Sequence, residues 1–251
     1  MNCPTSTVKN QFWLMHGAMQ NSGRTLFSVL ARLPLCALLW STTVSADEAA
    51  VEIPPPAFDM PMVTAGTETA VLAGGCFWGV QGVFQHVKGV SNAVSGYAGG
   101  AGYTAHYEVV GSGLSGHAEA VKITYDPRQI SYGQLLQIYF SVAHNPTELN
   151  RQGPDSGSQY RSTIFVTNAA QQQVATRYIA QLNKATLFPS PIVTTIETGK
   201  TFYPAETYHQ NFMTLHPTHG YILQNDLPKL ANLQRLFGSY YREKPVLVGT
   251  R

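Results

Sequence analysis

The order in which short apolar runs and helical periodicities alternate is what most restricts the fold of this chain. Residues 69–73 are an apolar run stopped by Gly74 and Gly75, which predicts a buried strand. Residues 78–87 then place Val80, Val83, Phe84 and Val87 at helical spacing. Residues 90–97 and 117–125 read as strands, and Ser131 caps a helix carrying Leu135, Leu136, Ile138, Tyr139 and Val142. Residues 163–166 form the next strand, Asn168 caps a Gln- and Ala-rich helix to about Lys184, and residues 192–196 form a further strand. A helix over 225–237 closes the chain, and there is no internal repeat. Strand, helix, strand, strand, helix, strand is the order of a split βαβ unit. The expected class is therefore α+β: a two-layer sandwich with a ferredoxin-like core plus extended arms and loops.

Composition narrows the partners. The 251 residues are 44% hydrophobic and only 12% charged, which argues against a disordered or coiled-coil chain. With 16 basic and 14 acidic side chains, the formal charge of +2 supplies no strong field for nucleic acid or an anionic membrane. Residues 1–46 hold Lys9, Arg24 and Arg32 and no acidic side chain. An apolar run over 33–44, followed by Val44, Ser45 and Ala46, fits a secretory signal peptide cleaved before Asp47. A start at Met19 gives a leader of more ordinary length. The run is shorter than the roughly 18 apolar residues of a membrane span. Leu35 before Cys36 is too large for lipoprotein processing, so no lipid anchor is expected. Residues 47–66, with Pro54, Pro55, Pro56 and Pro61, read as an extended arm, and 67–251 as a single domain. The expected location is outside the cytoplasm, periplasmic or secreted.

The chain has three cysteines, Cys3, Cys36 and Cys76, and removal of the leader leaves Cys76 as the single thiol of the mature protein. It follows two glycines and opens a predicted helix. Backbone N–H groups lacking intrahelical partners and the positive end of the helix dipole stabilise a thiolate there. The competing reading is a small buried hydrophobe, the commoner use of a lone Cys, and the strand–turn–helix setting favours the reactive one.

Four ordered blocks carry a resemblance. Gly75, Cys76, Phe77, Trp78 and Gly79 resemble the signature of the A-class peptide methionine sulfoxide reductases. Gly116, His117, Ala118, Glu119 and Ala120 resemble that family's Gly-His-Ala-Glu-Ala strand. Asp155, Gly157, Gln159, Tyr160, Arg161 and Ser162 resemble its Asp-x-Gly-x-Gln-Tyr-Arg-Ser segment, and Phe202, Tyr203, Ala205, Glu206, His209 and Gln210 a later loop. The match spans about residues 70–211.

Sulfoxide reduction explains why these residue types belong together. A thiolate attacks the electrophilic sulfur, and the departing oxygen must be protonated, so an acid is needed nearby. Glu119 lies between Ala118 and Ala120 in an otherwise apolar strand, where burial raises its pKa. The resemblance implies that Tyr107 and Tyr160 donate hydrogen bonds to the sulfoxide oxygen. It also implies that Phe77 and Trp78 form an apolar wall for the S-methyl group, and that Asp155 contacts the substrate backbone. It implies the S epimer as substrate, oxidised proteins or methionine sulfoxide as partners, a monomer, and no bound cofactor or metal. Attack leaves Cys76 as a sulfenic acid. Many relatives then use a second Cys near the C-terminus, but residues 216–251 contain none, and the family's other frequent Cys position is Val110 here. The expectation is a one-cysteine enzyme recharged by an external thiol or a thioredoxin-like protein.

Two other classes compete. A thiol hydrolase would pair Cys76 with His117, His144 or His209. A metal or binding site would use His209, His216 and His219, whose spacing fits no common zinc pattern.

Overall fold

The computed structural model describes residues 50–60 and 66–249. The expected leader over 1–46 lies outside the described residues. Strand β1 (Glu68–Ala73) is apolar from Ala70 onward because the sheet is covered there on both faces. Ala70 and Leu72 join the main core beneath the helices, whereas Val71 and Ala73 join a smaller cluster with Ala98, Ala118, Ala120 and Phe165. Around β1 stand β2 (Val90–Ala98), β3 (Ala118–Tyr125) and, beyond a two-residue hairpin of β4 (Arg151–Gln152) and β5 (Asp155–Ser156), β6 (Thr163–Val166). The central order β6-β1-β3-β2, all antiparallel neighbours, is that of the split βαβ core. At the edges β7 (Thr195–Thr198) adds parallel to β6, and β8 (Phe202–Pro204) antiparallel to β2.

Helix α1 (Phe77–Gln85) follows β1, and the short α2 (Tyr107–Gly111) sits in the long connection from β2 to β3. Helix α3 (Tyr132–Ile138) starts at Ser131 in a capping box. Ser131 Oγ accepts from the Gln134 N–H at 3.1 Å and Gln134 Oε1 accepts from the Ser131 N–H at 2.9 Å. It runs on into a π turn over Tyr139–Ala143. Asn168 caps α4 (Ala169–Ala185) by accepting from the Gln171 N–H at 2.9 Å. Helices α5 (Phe212–Leu215) and α6 (Leu227–Leu236), the latter preceded by a π turn over Ile222–Asp226, complete the helical layer.

The last predicted strand starts later than expected, at Thr195, and runs on to Thr198. Residues 192 and 193 send their N–H groups to Asn183 Oδ1 (2.9 Å) and Pro146 O (2.9 Å), so Ile192 fills the core and the ladder begins only at Thr195. Pro189 and Pro191 keep the preceding chain out of a ladder by lacking N–H donors. Among the described residues, no helix is long and apolar enough to cross a membrane.

Residues 50–60 bind α3 and α4. Ile53 is buried, the carbonyls of Pro54 and Pro55 accept from Tyr178 Oη (2.7 Å) and Gln181 Nε2 (3.0 Å), and Arg177 lies 4.1 Å over the Phe58 ring. Asp59 Oδ1 accepts from the Gly133 N–H at 2.9 Å and Oδ2 from Ser131 Oγ at 2.5 Å, at the positive end of α3. Asp59→Ala removes both bonds and is expected to cost about 1–2 kcal/mol, a fall of roughly 2–6 °C in melting temperature. Thermal unfolding followed by circular dichroism measures this, and an unchanged midpoint would refute it.

Candidate active site

The turn from β1 into α1 needs Gly75, whose φ of +81° is unfavourable for other residues and whose missing Cβ leaves room for Gln152. The Gly75 N–H donates to Tyr160 O at 3.2 Å, which fastens the segment after β5 to the turn. Gly74 backs onto the His144 ring, 2.7 Å separating a would-be Cβ from its Cγ. Cys76 follows as the N-cap residue of α1 and is the one cysteine among the described residues, buried with 1% of its surface exposed.

The helix start is less open than the sequence suggests. Its first N–H, that of Phe77, donates to Glu119 Oε2 at 2.9 Å. Sequence neighbours do not bury Glu119, because Ala118 and Ala120 point to the opposite face of β3. Glu119 instead shares a face with Val121 and Ile123, against α1. Burial pushes its pKa up to about 8; the Phe77 N–H opposes this and the nearby Asp155 charge adds to it. Near pH 7 the carboxyl is therefore chiefly protonated, able to give a proton beside the helix that Cys76 heads.

Asp155 is buried, and its Oδ2 accepts from Tyr221 Oη at 2.5 Å. Tyr221 is held strongly protonated, first by burial and then by the charges of Cys76, Asp226 and Asp155. Tyr221 thus belongs to the site although it lies outside every sequence block that pointed there; no local signal marks it. Tyr160 is buried beside the turn. Tyr107 heads α2, where its N–H donates to Glu206 Oε1 at 3.0 Å, while Glu206 Oε2 accepts from Tyr97 Oη at 2.8 Å. The Tyr107 ring lies 4.4 Å from that of His209, which in turn lies 5.0 Å from Phe77 and 5.9 Å from Trp78. Trp78 stacks on Phe212 at 3.7 Å and meets Tyr221 edge-on at 5.9 Å. The structure therefore gathers Cys76, Phe77, Trp78, Glu119, Tyr107, Tyr160 and Asp155 around the head of α1.

The histidines are occupied otherwise. His117 holds the β2–β3 connection, its Nδ1 accepting from the Gly100 N–H (3.2 Å) and its Nε2 bonded to Ala101 O (2.9 Å). His144 bonds Tyr139 O (3.0 Å) and Ser162 Oγ (2.7 Å), and burial lowers its pKa to about 3. His209 Nδ1 accepts from Trp78 Nε1 at 3.2 Å, and burial lowers its pKa to about 4. None of these rings has the setting of a base for Cys76. Among the described residues, no three His, Cys, Asp or Glu side chains cluster as metal ligands do, and His216 and His219 pack on Phe212 at 4.3 and 5.5 Å.

The family model for peptide methionine sulfoxide reductase matches residues 68–239. Peptide methionine sulfoxide reductase MsrA 2 of Mesorhizobium japonicum is 72% identical over 183 residues, 73% of this chain and 94% of that one. The protein of the same name from Synechocystis sp. is 49% identical over 195 residues, 76% of this chain and 89% of its own. Among solved structures, reduced Mxr1 from Saccharomyces cerevisiae matches with a TM-score of 0.55 at 30% identity, covering 63% of this chain and 91% of that one. Methionine sulfoxide reductase A of Corynebacterium diphtheriae matches with 0.53 at 29%, covering 68% and 90%. The chain belongs to the peptide methionine sulfoxide reductase family. It is an oxidoreductase that reduces methionine sulfoxide.

Proposed function

We propose that the enzyme reduces the S epimer of methionine sulfoxide, in proteins and as the free amino acid, through a sulfenic acid on Cys76. The observation that carries this reading is the buried Glu119 carboxyl that accepts from the N–H of the residue next to Cys76, in a setting whose burial raises its pKa. The Cys76 sulfur attacks the sulfoxide sulfur while Glu119 protonates the oxygen and Tyr107 and Tyr160 hydrogen-bond it. Phe77 and Trp78 line the space for the S-methyl group, and Asp155, bonded to Tyr221, contacts the substrate backbone. In sum, one thiol and one sulfoxide give one sulfenic acid and one thioether. Two external thiols then return Cys76 to the thiol, forming their own disulfide and water. The donor is a thioredoxin-like protein or a small thiol, since residues 216–251 supply no second Cys. No bound cofactor or metal takes part. The leader-like segment over 1–46 supports export, and the enzyme acts as a monomer.

One turnover without reductant tests the chemistry. The peptide carrying Cys76 is expected to gain one oxygen, with one equivalent of methionine released, and Cys76→Ser to release none. A Cys76 disulfide within the chain, or turnover by Cys76→Ser, would overturn the reading.

A further inference from the structure

Beneath the head of α1 lies a buried ion pair outside every motif that led to the site. Asp226 has no exposed surface and Lys229 only 5%, and Lys229 Nζ stands 3.8 Å from Asp226 Oδ1. Both are packed on the first turn of α1. A Cβ on Gly79, three residues after Cys76, would lie 2.2 Å from Asp226 Oδ1 and 3.4 Å from Lys229 Nζ. Gly79 is therefore the opening that admits the two charges to the helix. They also reach the groups around the thiol: Asp226 acts on Tyr221, which feels Cys76 directly, and Lys229 acts on His144 behind Gly74.

A carboxylate at this end of a helix draws on the same positive backbone field that stabilises a thiolate at the N-cap. Left alone, Asp226 would oppose ionisation of Cys76, because like charges in a buried setting interact far more strongly than in water. We propose that Lys229 is a positioning residue for the reaction: it neutralises Asp226 against the first turn of α1 and so leaves the helix terminus available to the Cys76 thiolate. The proposal rests on Cys76 being the nucleophile. The other groups gathered at this helix head are Glu119 from β3, Asp155 and Tyr160 from the segment around β5, Tyr107 from α2, His144 after α3, and Tyr221 before α6. Of these the acids and phenols oppose a thiolate when ionised and His144 is neutral, which leaves Lys229 as the cation among the groups named.

The test reads thiol chemistry and needs no sulfoxide, so its failure is distinct from failure of the proposed activity. Iodoacetamide alkylation of the full-length protein is followed against pH on the peptide that carries Cys76. Lys229→Met is expected to move the midpoint up by at least about one pH unit, a tenfold loss of thiolate below it. Asp226→Asn combined with Lys229→Met removes both charges and is expected to return the midpoint to within about 0.3 unit of the starting protein. A purely structural role would lower the unfolding temperature of the folded single variant without moving its alkylation midpoint. A folded Lys229→Met with an unmoved midpoint, or a double variant displaced as far as the single one, overturns the proposal. Breaking a buried pair is strongly destabilising. If Lys229→Met does not fold, Lys229→Gln, which keeps a polar end for Asp226, takes its place with the same two readings.

Discussion

Glu119→Gln is expected to make the protein harder to unfold at pH 7 while lowering sulfoxide reduction at least about a hundredfold. The unfolded chain releases the Glu119 proton near 4.5, whereas burial keeps it bound in the folded protein until about 8. Between those values the unfolded state is favoured by its easier ionisation, so each rise in pH costs the folded state stability. By pH 7 that cost amounts to about 3 kcal/mol. Gln cannot ionise and can still accept from the Phe77 N–H, so the variant escapes the cost. A gain of roughly 5–10 °C in melting temperature at pH 7, vanishing near pH 4, is the expected result. Turnover of the unsubstituted enzyme should correspondingly fall as pH rises through about 8. Equal stability of the two proteins across this range would show that Glu119 is already ionised at neutral pH, and the acid role would be lost.

Gly75→Ala carries the second large effect, with both of its consequences adverse. A Cβ there combines a φ of +81° with a distance of 2.5 Å to Gln152 Cγ. Strain and collision together are expected to cost about 2–5 kcal/mol. Because Cys76 is the next residue, relief by shifting the turn displaces the sulfur, and kcat/KM is expected to fall at least about tenfold. Gly199→Ala is the control: its φ is +65° but no atom lies within 4 Å of the added Cβ. It should lose only about 1 kcal/mol and keep full activity. If the two variants behaved alike, crowding at the nucleophile turn would have no part in the effect.

Local patterns revealed much of the fold. The core strands, the caps at Ser131 and Asn168 and the position of Cys76 at a helix head depend on neighbours in sequence. What escaped depends on contacts between distant residues. Ile192 reads as a strand residue until Asn183 and Pro146 take the N–H groups of its segment. Glu119 was recognisable as a buried acid, but for an incomplete reason: strand alternation turns its alanine neighbours away, and α1 covers it. Tyr221, Asp226 and Lys229 reach the head of α1 only through the packing of the last helical segment, which no spacing of residues encodes. His209 stands in one of the sequence blocks, but its place in the aromatic packing between Tyr107 and Trp78 is set by tertiary contacts.

The anchor of the acid is a main-chain donor, the N–H of Phe77. Every residue but proline carries that group, so side-chain replacement at position 77 can reshape the surroundings without deleting the attachment. The hold on the proton source is thereby insulated from ordinary mutational drift, and only a change that relocates where the helix begins would release it.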